Sequence, residues 1–313
     1  MGLRYGPEYP EITYVEHGYA EFTVDLGEVT MNYAVTGPQD APALLLVPGQ
    51  TESWWGYEAA MRRLEANFLT YAVDLRGQGR SSRTPGRYTG DNIGNDLVRF
   101  IQVVIGRPTI ITGCSSGGVL TAWLCAYAPP GLVRGGFCED PPLFACELNP
   151  SCGHSFRQGA APIFGIFEKY IGDQWCIGDW AGLRAAVPRE LPSWAQSIPI
   201  WTEEPPQQIR EYDPEWARAV REGTWGASLD HARMLAHVKT PVLLTHHFRS
   251  FDPVTGTHHG ALSDVQAKRV RELIEAAGER CDYQSFPSMG HVMHSQDPDL
   301  FASVLTEWAA TLN

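Results

Sequence analysis

The sequence predicts an α/β fold: a mostly parallel central sheet with flanking helices and a helical cap inserted after the sixth strand. Two observations carry this. Short apolar, β-rich runs bounded by turn residues alternate with helical patterns, and alternation of that kind builds a parallel sheet. The alternation then stops between Asp140 and Lys239 and resumes afterwards, which marks an insertion into one core.

In chain order, the strand signals of the first half are Leu44 to Val47, Leu69 to Val73, Thr109 to Thr112 and Val133 to Cys138, with helices expected over Asn92 to Ile105 and Gly118 to Tyr127. Val242 to Thr245 restores the pattern. A helix around Ser263 to Ala277, a strand at Tyr283 to Phe286 and a closing helix from Pro298 to Leu312 complete the sheet. The intervening segment holds six of the ten tryptophans, frequent prolines and no buried strand run. Two independent domains would leave the first half of the sheet without its last strands. The expected division is therefore a core of residues 1–140 and 240–313 and a cap of 141–239.

A chain of 313 residues can bury one large core plus such an elaboration. Its net charge of -12 argues against nucleic acid or an anionic membrane as partner, because an acidic surface repels both. Met1 to Phe22 lacks the basic start and apolar run of a secretory signal, and no stretch approaches eighteen uninterrupted apolar residues. The expectation is a cytoplasmic protein acting on a small apolar molecule, with a homodimer left open. Seven cysteines without a C-x-x-C pair read as free thiols, Cys114 among them as a small buried side chain.

Gly113-Cys114-Ser115-Ser116-Gly117 matches G-x-S-x-G between an apolar strand and a helix, the context that this motif requires in the α/β-hydrolase fold. A sharp turn there lifts the serine hydroxyl above the sheet, and small neighbours prevent clashes. Ser115 is the expected nucleophile. A serine in place of an aspartate removes the routes through an alkyl-ester intermediate.

A developing alkoxide needs two fixed N–H donors, expected from Ser116, which follows the nucleophile, and from Gln50, which follows the glycine turn ending Leu44 to Gly49. His291, in the Gly-containing loop after the last strand, is the expected general base in preference to nearby His294. His246 and His247 are adjacent on a strand and point to opposite faces, so they do not ligate one ion together. No metal and no cofactor are expected.

Glu139 or Asp140 after the sixth strand competes with Asp252 after the seventh for the orienting acid. Glu139 is favoured, since it ends a buried run where a carboxylate needs a partner such as an imidazolium. Asp140, followed by two prolines, reads as a turn or helix start, and Asp252 as the start of a turn.

Several segments resemble the bacterial zearalenone lactonases, α/β-hydrolases that open the macrocyclic ester of a fungal resorcylic acid lactone. They are Gln50-Thr-Glu-Ser-Trp-Trp55, Asp74-Leu-Arg-Gly-Gln-Gly-Arg-Ser81, Asp91-Asn-Ile-Gly-Asn-Asp-Leu-Val-Arg-Phe100, Cys138-Glu-Asp-Pro-Pro142, Gly172-Asp-Gln-Trp175, Glu211-Tyr-Asp-Pro-Glu-Trp216 and Gly260-Ala-Leu-Ser-Asp264. The Asp-x-Arg-Gly-x-Gly-x-Ser run is common to many α/β-hydrolases; the others are more particular.

That resemblance implies a triad glutamate at Glu139, an acyl-enzyme on Ser115 and a product that later loses carbon dioxide. Rival readings are a carboxylesterase, a carbon–carbon bond hydrolase and a ligand-binding receptor on the same fold. Substrate choice is expected from the cap, with Trp175, Trp180, Trp194, Trp201, Trp216 and Trp225 as a pool of contacts, and Trp54 and Trp55 from the core loop.

Overall fold

A computed structural model describes residues 2–155, 157–172, 175–196 and 198–312, the side chains of 157–159 and 194 excepted. Eight strands form the central sheet: β1 (Glu21–Asp25), β2 (Thr30–Thr36), β3 (Ala43–Val47), β4 (Leu69–Val73), β5 (Thr109–Cys114), β6 (Val133–Glu139), β7 (Val242–His246) and β8 (Cys281–Ser285). Their order is β8-β7-β6-β5-β3-β4-β2-β1. All neighbours from β4 to β8 are parallel, while β1 and β2 add an antiparallel edge.

The strand period of two sorts the core. Leu45 and Val47 of β3 pack with Val119 and Leu120 of helix Ser116–Tyr127 on one face, whereas Leu44 and Leu46 pack with Met61, Phe301 and Leu305 on the other. All four β3 side chains are fully buried, so truncating one leucine to alanine costs about 2–5 kcal/mol.

The six strands expected from the sequence form within two residues of their expected bounds, and the edge strands β1 and β2 are additions. Helix Gly90–Phe100 continues as a single π-helical stretch, Ile101–Ile105, ending at Gly106 in a left-handed turn. Between β6 and β7 lie helices Arg157–Ile171, Trp180–Glu190, Ser193–Gln196, Gln207–Arg210 and Glu215–Glu222, before helix His231–Leu235 leads back to the sheet.

One pairing lies outside the central sheet. Cys176–Ile177 within the cap forms a short antiparallel ladder with Leu3–Arg4, and Tyr5 N–H donates to Trp175 O at 2.6 Å. Leu3 to Tyr5 therefore pair with the segment between β6 and β7, whereas Tyr14 lies against Arg80 and His17 stacks on Trp55 in the core. A two-residue ladder carries too little periodicity to be visible in the sequence.

The segment between β6 and β7 is fastened to the rest of the fold by buried and half-buried polar contacts. Glu211 accepts from Ser53 Oγ at 2.7 Å and Trp55 Nε1 at 2.8 Å, Tyr212 accepts from Gln50 Nε2 at 2.6 Å, and Asp213 accepts from Tyr88 Oη. Trp216 donates Nε1 to Arg76 O at 2.7 Å and stacks on Tyr88.

Candidate active site

β5 runs through Cys114 and turns sharply at Ser115, whose backbone is held at φ 55, ψ -123. That left-handed strain is retained because the surroundings fix it: Ser115 N–H donates to Glu139 O at 3.0 Å and Ser115 O accepts from Val119 N–H at 3.1 Å. Close approach accounts for the flanking glycines. A Cβ on Gly117 would sit 2.3 Å from Val47 O, and one on Gly113 would sit 2.4 Å from Gly117 C and O.

Ser116 opens helix Ser116–Tyr127, so its N–H belongs to the first turn, whose donors have no intrahelical acceptor. Gln50 follows Gly49 in a loop folded on itself: Gly49 N–H donates to Glu52 Oε2 at 2.7 Å, and Glu52 N–H to Gln78 Oε1 at 3.2 Å. A Cβ on Gly49 would lie 3.3 Å from Ser115 Cβ, which measures how near this loop comes to Ser115.

The two carboxylates ending β6 divide two histidines between them, and here the structure differs from expectation. Asp140 Oδ2 lies 2.7 Å from His291 Nδ1, and Asp140 Oδ1 accepts His247 N–H at 3.0 Å. Glu139, expected as the partner of His291, instead lies 2.9 Å from His294 Nδ1 through Oε2 and accepts His294 N–H at 3.1 Å through Oε1.

The cause is local. Glu139 is still in register with Cys114 and Thr245, so its side chain points into the packed layer below the strand ends. Asp140 takes φ 41, which turns its own side chain up toward the loop bearing His291. The two prolines suggest a turn correctly, but not that the turn aims a carboxylate.

Burial pushes the pKa of both carboxylates up, but the hydrogen bond and charge of His291 outweigh it at Asp140, and those of His294 at Glu139, holding both below the ordinary range. Conversely, burial disfavours charge on His291, yet the hydrogen bond and charge of Asp140, helped by Glu52 and Glu139, raise its pKa. Its ring is hemmed in by these groups, yet the side chain keeps 44% of its surface exposed.

His247 is a site residue that the sequence reading missed. Its Nδ1 lies 2.9 Å from Gly290 O and 3.2 Å from His291 O, and Nε2 lies 3.1 Å from Thr245 Oγ1, so this buried ring holds the His291 loop in place. His246, on the opposite face, meets Tyr283 Oη and Leu262 O. Asp252 is occupied by its own turn, accepting from Val254 N–H and from Thr255 N–H and Oγ1.

Five tryptophans of the pool spend their indole N–H within the protein. Trp54 donates to Glu21 Oε1, Trp55 to Glu211, Trp180 to Thr202 O, Trp201 to Ala195 O and Trp216 to Arg76 O. Trp175 and Trp225 are buried with no hydrogen-bond partner for Nε1 among the described residues. The Trp194 side chain and positions 173 and 174 of the Gly172-to-Trp175 segment lie outside the described residues. Cys114, Glu139 and His294 come close enough together to hold a metal ion, but both Glu139 oxygens are already bonded to His294. All seven cysteines are free thiols. Among the described residues no helix is long and apolar enough to cross a membrane.

Residues 44–304 match the family described as "Alpha/beta hydrolase family", and the chain belongs to it. Among curated proteins it is 29% identical over 109 residues to 3-oxoadipate enol-lactonase 2 of Acinetobacter baylyi, covering 34% of this chain and 40% of that protein. It is 32% identical over 159 residues to 2-(acetamidomethylene)succinate hydrolase of Mesorhizobium japonicum, covering 49% and 55%. The matches thus span about half the length of those relatives.

Solved structures align over nearly the whole chain. The enol-lactonase from Burkholderia xenovorans gives a TM-score of 0.65 at 15% identity, covering 92% of this chain and 100% of that one. A hydrolase from Pseudomonas aeruginosa gives 0.67 at 17%, covering 94% and 100%. At these identities the likeness concerns the fold.

Proposed function

We propose that the protein is a serine hydrolase that opens the ester bond of a macrocyclic lactone of the zearalenone class. The observation that carries the reaction type is the pairing of Asp140 with His291 on the loop beside a strained Ser115. In this reading Asp140, rather than Glu139, fixes the imidazole tautomer, with Nδ1–H donated to the carboxylate and Nε2 free to act as base.

Ser115 Oγ attacks the lactone carbonyl as His291 Nε2 takes its proton, and the Gln50 and Ser116 N–H groups receive the oxyanion. The imidazolium then protonates the departing alkoxide, which leaves the acyl group on Ser115. Water attacks that acyl-enzyme with His291 again as base, releasing the hydroxy acid and restoring the serine. Intact hydroxyl, imidazole and acid favour turnover over a receptor that only holds its ligand.

The substrate class rests on the segments shared with the lactonases and on an aromatic-rich cap fastened to the loop at Gln50. Enol-lactonases among the relatives are in keeping with lactone chemistry. The test is incubation of purified protein with zearalenone and mass spectrometry of the products. The expected result is a species heavier by one water, or its decarboxylated successor. Turnover of p-nitrophenyl acetate with zearalenone untouched would leave an esterase of other specificity.

The cap's share is tested by alanine at each of Trp175, Trp180, Trp194, Trp201, Trp216 and Trp225. At least one variant is expected to lose the lactone while keeping the small ester; equal losses throughout would move substrate choice to the loop around Trp54 and Trp55.

A further inference from the structure

A second acid–imidazole pair lies beneath the proposed triad and takes no part in the reaction as written. His294 and Glu139 are both fully buried, joined through Nδ1 and through the His294 backbone N–H. The His294 ring stacks on Tyr57 with centroids 3.8 Å apart, and Tyr57 Oη in turn accepts the N–H of Cys114, the residue before Ser115. Glu139 also accepts the Ser115 N–H through its backbone carbonyl. This one residue therefore touches both the nucleophile's backbone and the segment three residues beyond His291.

The other edge of the ring points toward the oxyanion loop. His294 Nε2 is buried without a hydrogen-bond partner among the described residues, and Glu52 Oε1 lies 3.9 Å from it. The second oxygen of Glu52 holds Gly49 N–H, immediately before Gln50. The imidazole stands between two carboxylates, one fixed to the strand end and one to the loop.

We propose that His294 is a positioning residue, resting on the serine-hydrolase reading above, which couples the His291 loop to the oxyanion loop through Glu139 on one side and Glu52 on the other. A cation there is held by both acids. The charged and titratable groups around it are Glu139 from β6, Glu52 from the oxyanion loop, Tyr57, Cys114 from β5, and His291 from its own loop; its own pKa is raised, since the Glu139 charge and hydrogen bond, with Glu52, exceed the opposing effect of burial. His291 feels the same carboxylates and is also bonded to Asp140, with His247 against its backbone. Charge changes in the lower pair are therefore transmitted to the base.

The experiment is a pH titration of His291 followed by nitrogen-15 NMR in the full-length protein, wild type against His294→Phe and Glu52→Gln, with kcat and KM for p-nitrophenyl acetate alongside. Phenylalanine keeps the stack on Tyr57 but removes the positive charge, so the His291 midpoint rises; removing the Glu52 charge lowers it. For His294→Phe, kcat falls about tenfold or more with KM within about twofold, since small misplacements of a catalytic group are costly in rate. Unmoved His291 midpoints in both variants, or shifts in the same direction, overturn the proposal. Should His294→Phe fail to fold, His294→Gln, which keeps a hydrogen-bond donor for Glu139 but carries no charge, decides in its place: the His291 midpoint rises as for phenylalanine, and an unmoved midpoint overturns the proposal. Failure of wild-type Ser115 to react with a fluorophosphonate defeats the hydrolase reading separately, as the titration needs no turnover.

Discussion

Asp140 and Glu139 are neighbours in sequence, yet Asp140 bonds His291 at 2.7 Å and Glu139 bonds His294 at 2.9 Å. Each histidine thus has its own carboxylate, and the two pairs are expected to fail differently. Asp140→Asn should lower kcat by about 10³ to 10⁴-fold, because the wrong tautomer leaves no base for the serine. Glu139→Gln should cost rate less but unfolding stability more, about 3–5 kcal/mol for a broken buried pair. Rates on an activated ester and thermal melts of both variants check this; the reverse order in rate would return the orienting role to Glu139.

Ser115→Ala should lose about 10³-fold or more in turnover with an unchanged melting temperature, since alanine occupies the same strained turn. Intact-mass measurement after fluorophosphonate treatment should show one adduct on the wild type and none on the variant.

The kcat/KM profile should fall toward acid through a single step with its midpoint above the ordinary imidazole value of about 6.5, because the Asp140 hydrogen bond and charge favour protonated His291 against burial. The sign is fixed by the role: only the neutral ring accepts the serine proton, so activity is present above the midpoint and lost below it. Steady-state kinetics from about pH 5 to 9 measure it, and a midpoint below that of free imidazole would contradict the pairing.

Gly117→Ala should abolish activity and lower the melting temperature, because its Cβ would meet Val47 O at 2.3 Å. Gly165→Ala is the control: nothing lies within 4 Å of its Cβ, it sits inside helix Arg157–Ile171, and alanine there is worth about 0.5–1 kcal/mol in the helix's favour. Melts of the two variants should move in opposite directions.

The parallel strands were legible because each is buried on both faces and reads as a continuous apolar run, as Leu44 to Val47 does. The edge strand β1 has the alternation of a half-solvated strand in Glu21, Thr23 and Asp25, but at five residues with Phe22 exposed it offers no buried apolar run, the signal by which the parallel strands were read. At the site, the serine was legible from a motif whose spacing is dictated by sterics. The acid was not, because which of two adjacent carboxylates meets which of two histidines three residues apart depends on one backbone angle, φ 41 at Asp140. His247 escaped for a related reason: it acts through hydrogen bonds to backbone carbonyls, which leave no pattern in side-chain identity.

The bond from Gln50 to Tyr212, with Glu211 gripping Ser53 and Trp55, ties the segment between β6 and β7 to the loop proposed to receive the oxyanion. Under the proposed function, substrate range and turnover would thereby be inherited together. On that reading, reshaping the segment around Tyr212 for a bulkier ligand would disturb Gln50 as well, so a change of substrate would call for adjustment of residues 50–55 in the same steps, and a transplanted segment would be expected to work only when that loop travels with it.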